Sequence, residues 1–80
     1  MAFDPIKALT NYSGAECSVQ FWVAGTEASV FASLEEAVIF ARENGAGWKD
    51  VDITVHLEHE DIVYATGKTR TLIEALRRKS

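Results

Sequence analysis

The 80-residue chain has one cysteine, one proline and no apolar run that approaches the length of a membrane-spanning helix. One cysteine excludes an internal disulfide, and a bilayer span needs about 20 consecutive apolar residues. Residues 1–10 lack the apolar stretch of a secretory leader. The sequence therefore predicts a cytoplasmic protein that has no membrane partner.

Basic residues are scarce over most of the chain. Residues 1–67 hold eleven acids and three bases, whereas residues 68–80 hold five bases and one acid. The stretch 50–61 carries five acids and no base, and such a surface repels phosphate, so direct nucleic-acid binding is disfavoured. We expect an acidic surface formed by Asp50, Asp52, Glu58, Glu60 and Asp61.

The length predicts one domain over residues 1–80, because two domains would each lack a core. With 48% apolar residues, the chain has the composition of an ordered globular protein. We divide it into a short helix and turn (1–14) and two hairpin–helix segments (15–45 and 46–80).

The first 45 residues predict a short helix, a hairpin and a longer helix. Asp4 and Pro5 are typical of a helix start, with Ile6 and Leu9 facing inward. Alternating apolar and polar residues predict strands over 17–23 and 28–32, joined by a loop containing Gly25-Thr26. The capping box Ser33-Leu34-Glu35-Glu36 then predicts a helix to about Glu43, which ends at Asn44-Gly45 with a left-handed cap.

The rest of the chain repeats the hairpin–helix order after a loop over 45–48. Alternation predicts strands over 51–57 and 62–66, and a second capping box, Thr71-Leu72-Ile73-Glu74, predicts the start of the last helix. Residues 29–33 resemble residues 62–66, which suggests an internal repeat. The predicted fold class is α+β. It is a two-layer sandwich with a four-stranded, mainly antiparallel sheet in ββαββα order, both main helices on one face, and a short N-terminal helix.

If both main helices cover one sheet face, apolar residues remain on the other. Alternation places Trp22 and His56 there, together with one residue of each pair Val30/Phe31 and Val63/Tyr64. Ile39 falls among the charged residues of its helix. Either a partner protein or the N-terminal segment, through Phe3, Ile6 and Leu9, could cover the outward face. The predicted interface comprises Trp22, Phe31, Ile39, His56 and Tyr64.

Other candidate sites are weaker. Gly67, Lys68, Thr69 and Arg70 could hold an anion at the start of the last helix, but Ile62 stands where a phosphate-binding loop needs glycine. His56 and His59 are three residues apart and point to opposite faces of an extended strand, which disfavours a metal site. Cys17 shares a strand face with Val19 and Phe21, so we expect it in the core. We predict no catalytic residues, metal or cofactor.

Three functions follow from these features. The first is a small non-enzymatic interaction or regulatory module whose partner is an unidentified protein or a second copy of the chain. The second is an acidic inhibitor that blocks a basic, nucleic-acid-binding surface on a partner. In size and charge alone, such a chain resembles the small phage-encoded anti-CRISPR proteins. The third is a protein that binds an anion or phosphate ligand at residues 67–70.

Overall fold

A computed structural model describes residues 3–22, 27–45 and 50–79 of the chain. In chain order, the elements are α1 (Pro5–Asn11), β1 (Cys17–Phe21), β2 (Ser29–Phe31), α2 (Leu34–Glu43), β3 (Val51–His56), β4 (Asp61–Tyr64) and α3 (Thr66–Lys79). The predicted loops around Gly25-Thr26 and at 46–48, and the strand residue Val23, lie outside the described residues.

The four strands form one sheet in the order β2-β1-β3-β4, and all neighbours are antiparallel. The two hairpins therefore meet through β1 and β3, which leaves β2 and β4 at the edges. Helices α2 and α3 pack on the same side of this sheet and against each other. The predicted fold class, an α+β sandwich in ββαββα order with a short N-terminal helix, is confirmed.

The core lies between the sheet and the helices. Strand pairing places Cys17, Val19 and Phe21 on the same face as Val51 and Ile53, and all five are buried. Helices α2 and α3 contribute the apolar side chains that face them, namely Leu34, Ala37, Val38, Ala41, Leu72, Ala75 and Leu76. The predicted alternation of β1 and β3 is thus confirmed, and Cys17 lies in the core.

Helix α1 packs on the helix layer and not on the outward sheet face. It contacts α3 and α2, and the N–H of Leu34 donates to the carbonyl of Tyr12 at 3.1 Å. Asp4 caps the helix as predicted, since its carboxylate accepts from the N–H of Lys7. Leu9 is fully buried, but Ile6 is 48% exposed, so its predicted inward position is wrong.

Helix α2 begins and ends as the sequence predicts. The Ser33 hydroxyl accepts from the N–H of Glu36, while the Glu36 carboxylate reaches back to the N–H of Ala32. Beyond the cap at Asn44, Gly45 has a φ of 103°, in the left-handed region that favours glycine. Local capping chemistry therefore sets both ends of this helix.

Helix α3 begins five residues before the predicted cap at Thr71. It starts at Thr66, so the pattern Thr71-Leu72-Ile73-Glu74 lies inside the helix. The Thr71 hydroxyl donates to the carbonyl of Gly67 one turn earlier instead of capping. Strand β4 correspondingly ends at Tyr64, two residues earlier than predicted. The Thr66 hydroxyl exchanges hydrogen bonds with the main chain of Val51, which attaches the start of α3 to β3.

Candidate functional site

The five predicted interface residues do not form one surface. Trp22 is 63% exposed and His56 is half-buried, and both belong to the outward sheet face. Phe31 and Ile39 lie on the helix side, near the β2 edge. Tyr64 pairs with Ile53 and is buried in the core, so its assignment to the outward face is wrong.

Strand register explains which residue of each uncertain pair faces outward. Val30 pairs with Ser18 and Val63 pairs with Thr54, and paired residues share a sheet face. Val30 and Val63 are 62% and 55% exposed. The equivalent positions of the two hairpins thus have the same orientation, which agrees with the alignment of the predicted repeat.

A groove of about 440 Å³ runs along the β2 edge beside α2. Phe31 and Phe40 form part of its wall, and the centres of their rings are 4.9 Å apart. The wall is mainly apolar, and two carboxylates lie along it. The lining residues are Val30, Phe31, Ala32, Glu36, Ile39, Phe40 and Glu43.

The two carboxylates of the groove come from opposite ends of α2. Glu36 lies in the first turn and accepts the N–H of Ala32 at 3.3 Å. Glu43 lies in the last turn, where an Arg42 nitrogen is 3.8 Å from its carboxylate. Both of those side chains are exposed, and exposed pairs contribute about 0–1 kcal/mol. The charge of the groove lining itself is negative.

The outward sheet face carries a row of three polar side chains that sequence analysis did not connect. The Ser18 hydroxyl lies 2.9 Å from Nε2 of His56, and the other ring nitrogen, Nδ1, lies 3.3 Å from a carboxylate oxygen of Asp61. This is the connectivity of a catalytic triad. Alternation places Ser18 and His56 on one face, but the register between β1, β3 and β4 brings the three groups together.

The main chain around Ser18 does not offer the donors that acyl-transfer catalysis needs. Trp22 donates to the carbonyl of Asp50, and His56 donates to that of Glu16, so the even-numbered residues of β1 direct their main-chain groups to β3. The N–H of Ser18 thus belongs to the β1–β3 ladder, and that of Val19 to the β1–β2 ladder. An oxyanion hole requires such N–H groups to be directed at the reacting oxygen.

Two core residues have raised pKa values. Burial, with a smaller effect of the Glu16 carboxylate, raises the pKa of the Cys17 thiol from 9.0 to about 11. The thiol also contacts the carbonyl of Ala15 at 3.4 Å. Burial likewise raises the pKa of Tyr64. Both groups are therefore protonated at neutral pH, and Cys17 is not a reactive thiolate.

The predicted anion site lies in the first turn of α3. Gly67, Lys68 and Arg70 are exposed, but Thr69 is buried and its hydroxyl donates to the carbonyl of Tyr64. The Lys68 ammonium lies 5.6 Å from the centre of the Phe3 ring. Thr69 therefore stabilises the β4–α3 connection, and including it in the anion site was wrong.

The five predicted acids lie on β3 and β4, in the turn that joins these strands, and just before β3. Asp52 and Asp61 belong to the outward face, Asp50 precedes β3, and Glu58 and Glu60 lie in the β3–β4 turn. Among the described residues, no three His, Cys, Asp or Glu side chains are grouped as metal ligands. No described helix is both long enough and apolar enough to cross a membrane.

Comparison of the chain with protein-family models, with curated proteins and with solved structures finds no match.

Proposed function

We propose that the protein is a non-enzymatic interaction module that binds a partner protein in the groove between β2 and α2. The observation that carries this proposal is an open apolar groove beside a sheet edge, with Phe31, Ile39 and Phe40 in its wall. These three side chains pack against the core yet remain partly exposed. Surface cavities with aromatic walls and charged rims are typical of sites where a partner is bound.

Two variants test the groove. Ile39→Asp places a charge against the apolar wall, and Glu43→Lys reverses the charge of an exposed side chain at the rim. Each is expected to weaken the complex with a partner isolated from the source cells, as measured by calorimetry with purified components. The Glu43→Lys variant keeps the test valid if Ile39→Asp unfolds the chain, because an exposed substitution changes stability by at most about 0.5 kcal/mol.

Val63→Asp serves as the matched control. Val63 is also an exposed apolar residue on an edge strand, but it lies on β4 and on the outward face. We expect this variant to bind like the wild type. Equal affinity of wild type, Ile39→Asp and Glu43→Lys would overturn the proposal, and so would a loss confined to Val63→Asp.

A second candidate function is the acidic inhibitor of a basic surface. The observation that favours it is the distribution of acids on the sheet, since the outward-facing strand residues that the structure describes include Asp52 and Asp61 and no lysine or arginine. In that case Glu58→Lys combined with Glu60→Lys would abolish binding, and the affinity would fall steeply with ionic strength. Binding that depends on Ile39 and tolerates both lysines would exclude this alternative.

A further inference from the structure

We infer that the groove accepts an extended segment of the partner, which adds to the sheet as a strand beside β2 and carries the pattern basic–x–apolar–x–basic. This inference rests on the proposed function of the groove. It is carried by three features of the described residues: the main-chain groups of the β2 edge, the order of side chains along α2, and the sign of the groove charge.

The β2 edge presents main-chain groups to an incoming strand. Cys17 pairs with Phe31 and Val19 pairs with Ser29. These odd-numbered residues of β1 direct their N–H and C=O groups to β2, since the even-numbered ones bond to β3. In an antiparallel ladder, Val30 therefore directs its N–H and C=O away from β1, toward the open edge. The described residues place no further strand there.

Glu36 limits the length of this edge. The N–H of Ala32 comes two residues after that of Val30, so it belongs to the same side of the strand. That N–H already donates to the Glu36 carboxylate. The incoming strand therefore pairs at Val30, and pairing ends where α2 begins.

The side chains of α2 that line the groove follow one helical face. Glu36 and Glu43 are seven residues apart, and Ile39 and Phe40 lie between them. With a rise of about 1.5 Å per residue, the two carboxylates are separated by roughly 10 Å along the helix. The apolar centre of the groove therefore has one acid on each side.

A strand that runs along this helix meets the acids with alternate residues. Side chains on one face of a strand recur every second residue, about 6.7 Å apart, so positions i and i+4 are roughly 13 Å apart. The flexible side chains of lysine and arginine accommodate the difference between 13 and roughly 10 Å. Position i+2 then faces Ile39 and Phe40, which gives basic residues at i and i+4 and an apolar residue at i+2.

The charges disfavour a second copy of the chain as the occupant. In an edge-to-edge dimer through β2, Ser29, Val30 and Phe31 of each copy would enter the groove of the other, and none of them is basic. The carboxylates of Glu36 and Glu43 would then lie near their own counterparts. Like charges in contact oppose association, whereas a basic segment is attracted to both carboxylates, since the Arg42–Glu43 pair is exposed and therefore weak.

A synthetic peptide with the central sequence Lys-Thr-Val-Thr-Lys, capped at both ends, tests the inference on the full chain. Binding is followed through the amide resonances of the ¹⁵N-labelled protein. We expect the largest shifts at Val30, Phe31 and Ile39, and little change at Thr54 and Val63 on the outward face. A peptide with glutamate in place of both lysines is the matched control and should bind about fivefold or more weakly, as should the lysine peptide to the Glu43→Lys variant.

N-methylation decides whether the main chain of the peptide pairs with β2. A strand directs alternate N–H groups to opposite sides, so only one set faces β2. One test peptide is N-methylated at both threonines, and a second is N-methylated at valine and the second lysine. Strand addition is supported if one of the two methylated peptides loses binding. It is overturned if both bind as tightly as the unmodified peptide.

The remaining outcomes separate this inference from the proposed function. If the peptide shifts only resonances of the outward face, or if the glutamate peptide binds as tightly as the lysine peptide, the inference is wrong. If the peptides fail while partner binding still depends on Ile39 and Glu43, the groove is an interaction site for another kind of element. If partner binding is indifferent to both substitutions, the proposed function itself is wrong.

Discussion

At the residue scale, the local environment determines what each chemically capable side chain can do. Ser18, His56 and Asp61 have the connectivity of a triad, but the main chain around the serine is engaged in strand pairing. The Cys17 thiol is fully buried among apolar groups. Both features agree with the proposed non-enzymatic function, and each leads to a measurement.

We expect Ser18 to be inert toward a fluorophosphonate probe at neutral pH. The hydroxyl lies within hydrogen-bond distance of His56, but the described main chain around Ser18 supplies no oxyanion donor, and the addition step then lacks its main stabilisation, about 3–4 kcal/mol per donor. Mass spectrometry of the intact protein should show no adduct. Stoichiometric labelling that is lost in Ser18→Ala and His56→Ala would contradict the non-enzymatic proposal.

Alkaline pH should destabilise the protein partly through Cys17. Its pKa is 9.0 when the thiol is unperturbed and about 11 in the folded state. Between these values the unfolded chain has released the thiol proton while the folded chain retains it, so the free energy of unfolding falls as pH rises. The slope from this group is at most about 1.4 kcal/mol per pH unit.

Chemical denaturation of wild type and Cys17→Ala at pH 8 to 11 checks this expectation. Burial, the largest cause, also raises the pKa of Tyr64 in both proteins, and the smaller effect of a charged Cys17 on Tyr64 is lost in the variant, which acts in the same direction. The difference in free energy of unfolding between wild type and Cys17→Ala should therefore shrink as the pH rises through this window. A constant difference would show that the thiol has the same pKa in the folded and unfolded states.

At the element scale, caps and packing determine different boundaries. Ser33 caps α2 as its sequence pattern predicts, whereas the similar pattern at Thr71 lies within α3. The start of α3 is set by a tertiary contact, since Thr66 bonds to Val51, and by a local one, since Thr69 bonds to Tyr64. Helix α1 also depends on tertiary packing, because Leu9 is buried where α1 contacts α3 and α2.

Ser33 and Thr71 give a matched pair of substitutions, because each begins a capping-box pattern in the sequence. Ser33→Ala removes an N-cap and should lower the free energy of unfolding by about 1 kcal/mol. Thr71→Ala removes an exposed residue from a helix interior, where alanine has the higher helix propensity, so its effect should stay within about 0.5 kcal/mol. Thermal or urea denaturation measures both, and equal costs would place a cap at Thr71 after all.

Leu9 and Ile6 form a second matched pair, on the same helix. Leu9→Ala should destabilise the protein by about 2–5 kcal/mol, because it opens a cavity in a fully buried position. Ile6→Ala should cost far less, since the side chain is about half exposed. Denaturation curves with equal midpoints for the two variants would mean that α1 does not pack on the helix layer as described.

At the scale of the whole molecule, the two sheet faces differ. The helices, including α1, lie on one face, and the described residues leave Val30, Val63 and Trp22 exposed on the other. The alternative in which the N-terminal segment covers the outward face is therefore wrong. The similarity of the two hairpins does not extend to the groove, which lies beside β2 and α2.

Valine-to-threonine substitutions compare the two faces directly. Val63→Thr replaces an exposed methyl group by a hydroxyl that water can hydrate, so the stability should change by at most about 0.5 kcal/mol. Val55→Thr buries the same hydroxyl in the core and should cost roughly 1–3 kcal/mol. Urea denaturation compares the two variants, and a large cost at Val63 would indicate that a further segment or a second copy covers the outward face.

Local sequence signals were enough to predict the type and order of the elements. Three signals were local, because each depends only on residues close together in sequence. They are the alternation in β1 and β3, the cap at Ser33 and the left-handed conformation of Gly45. Together they predicted the ββαββα order and the core positions of Cys17, Val19 and Ile53. They also identified Ile39 as a residue that its own helix does not explain.

The way in which these elements meet depends on long-range packing, which local signals do not predict. Strand register is a long-range property, so it alone places Tyr64 inward, Val63 outward, and Ser18 beside His56 and Asp61. The side on which α1 packs depends on apolar area presented by α3 and α2, which are distant in sequence. The groove has the same origin, because a cavity between a strand edge and a helix exists only once both have packed on a common core.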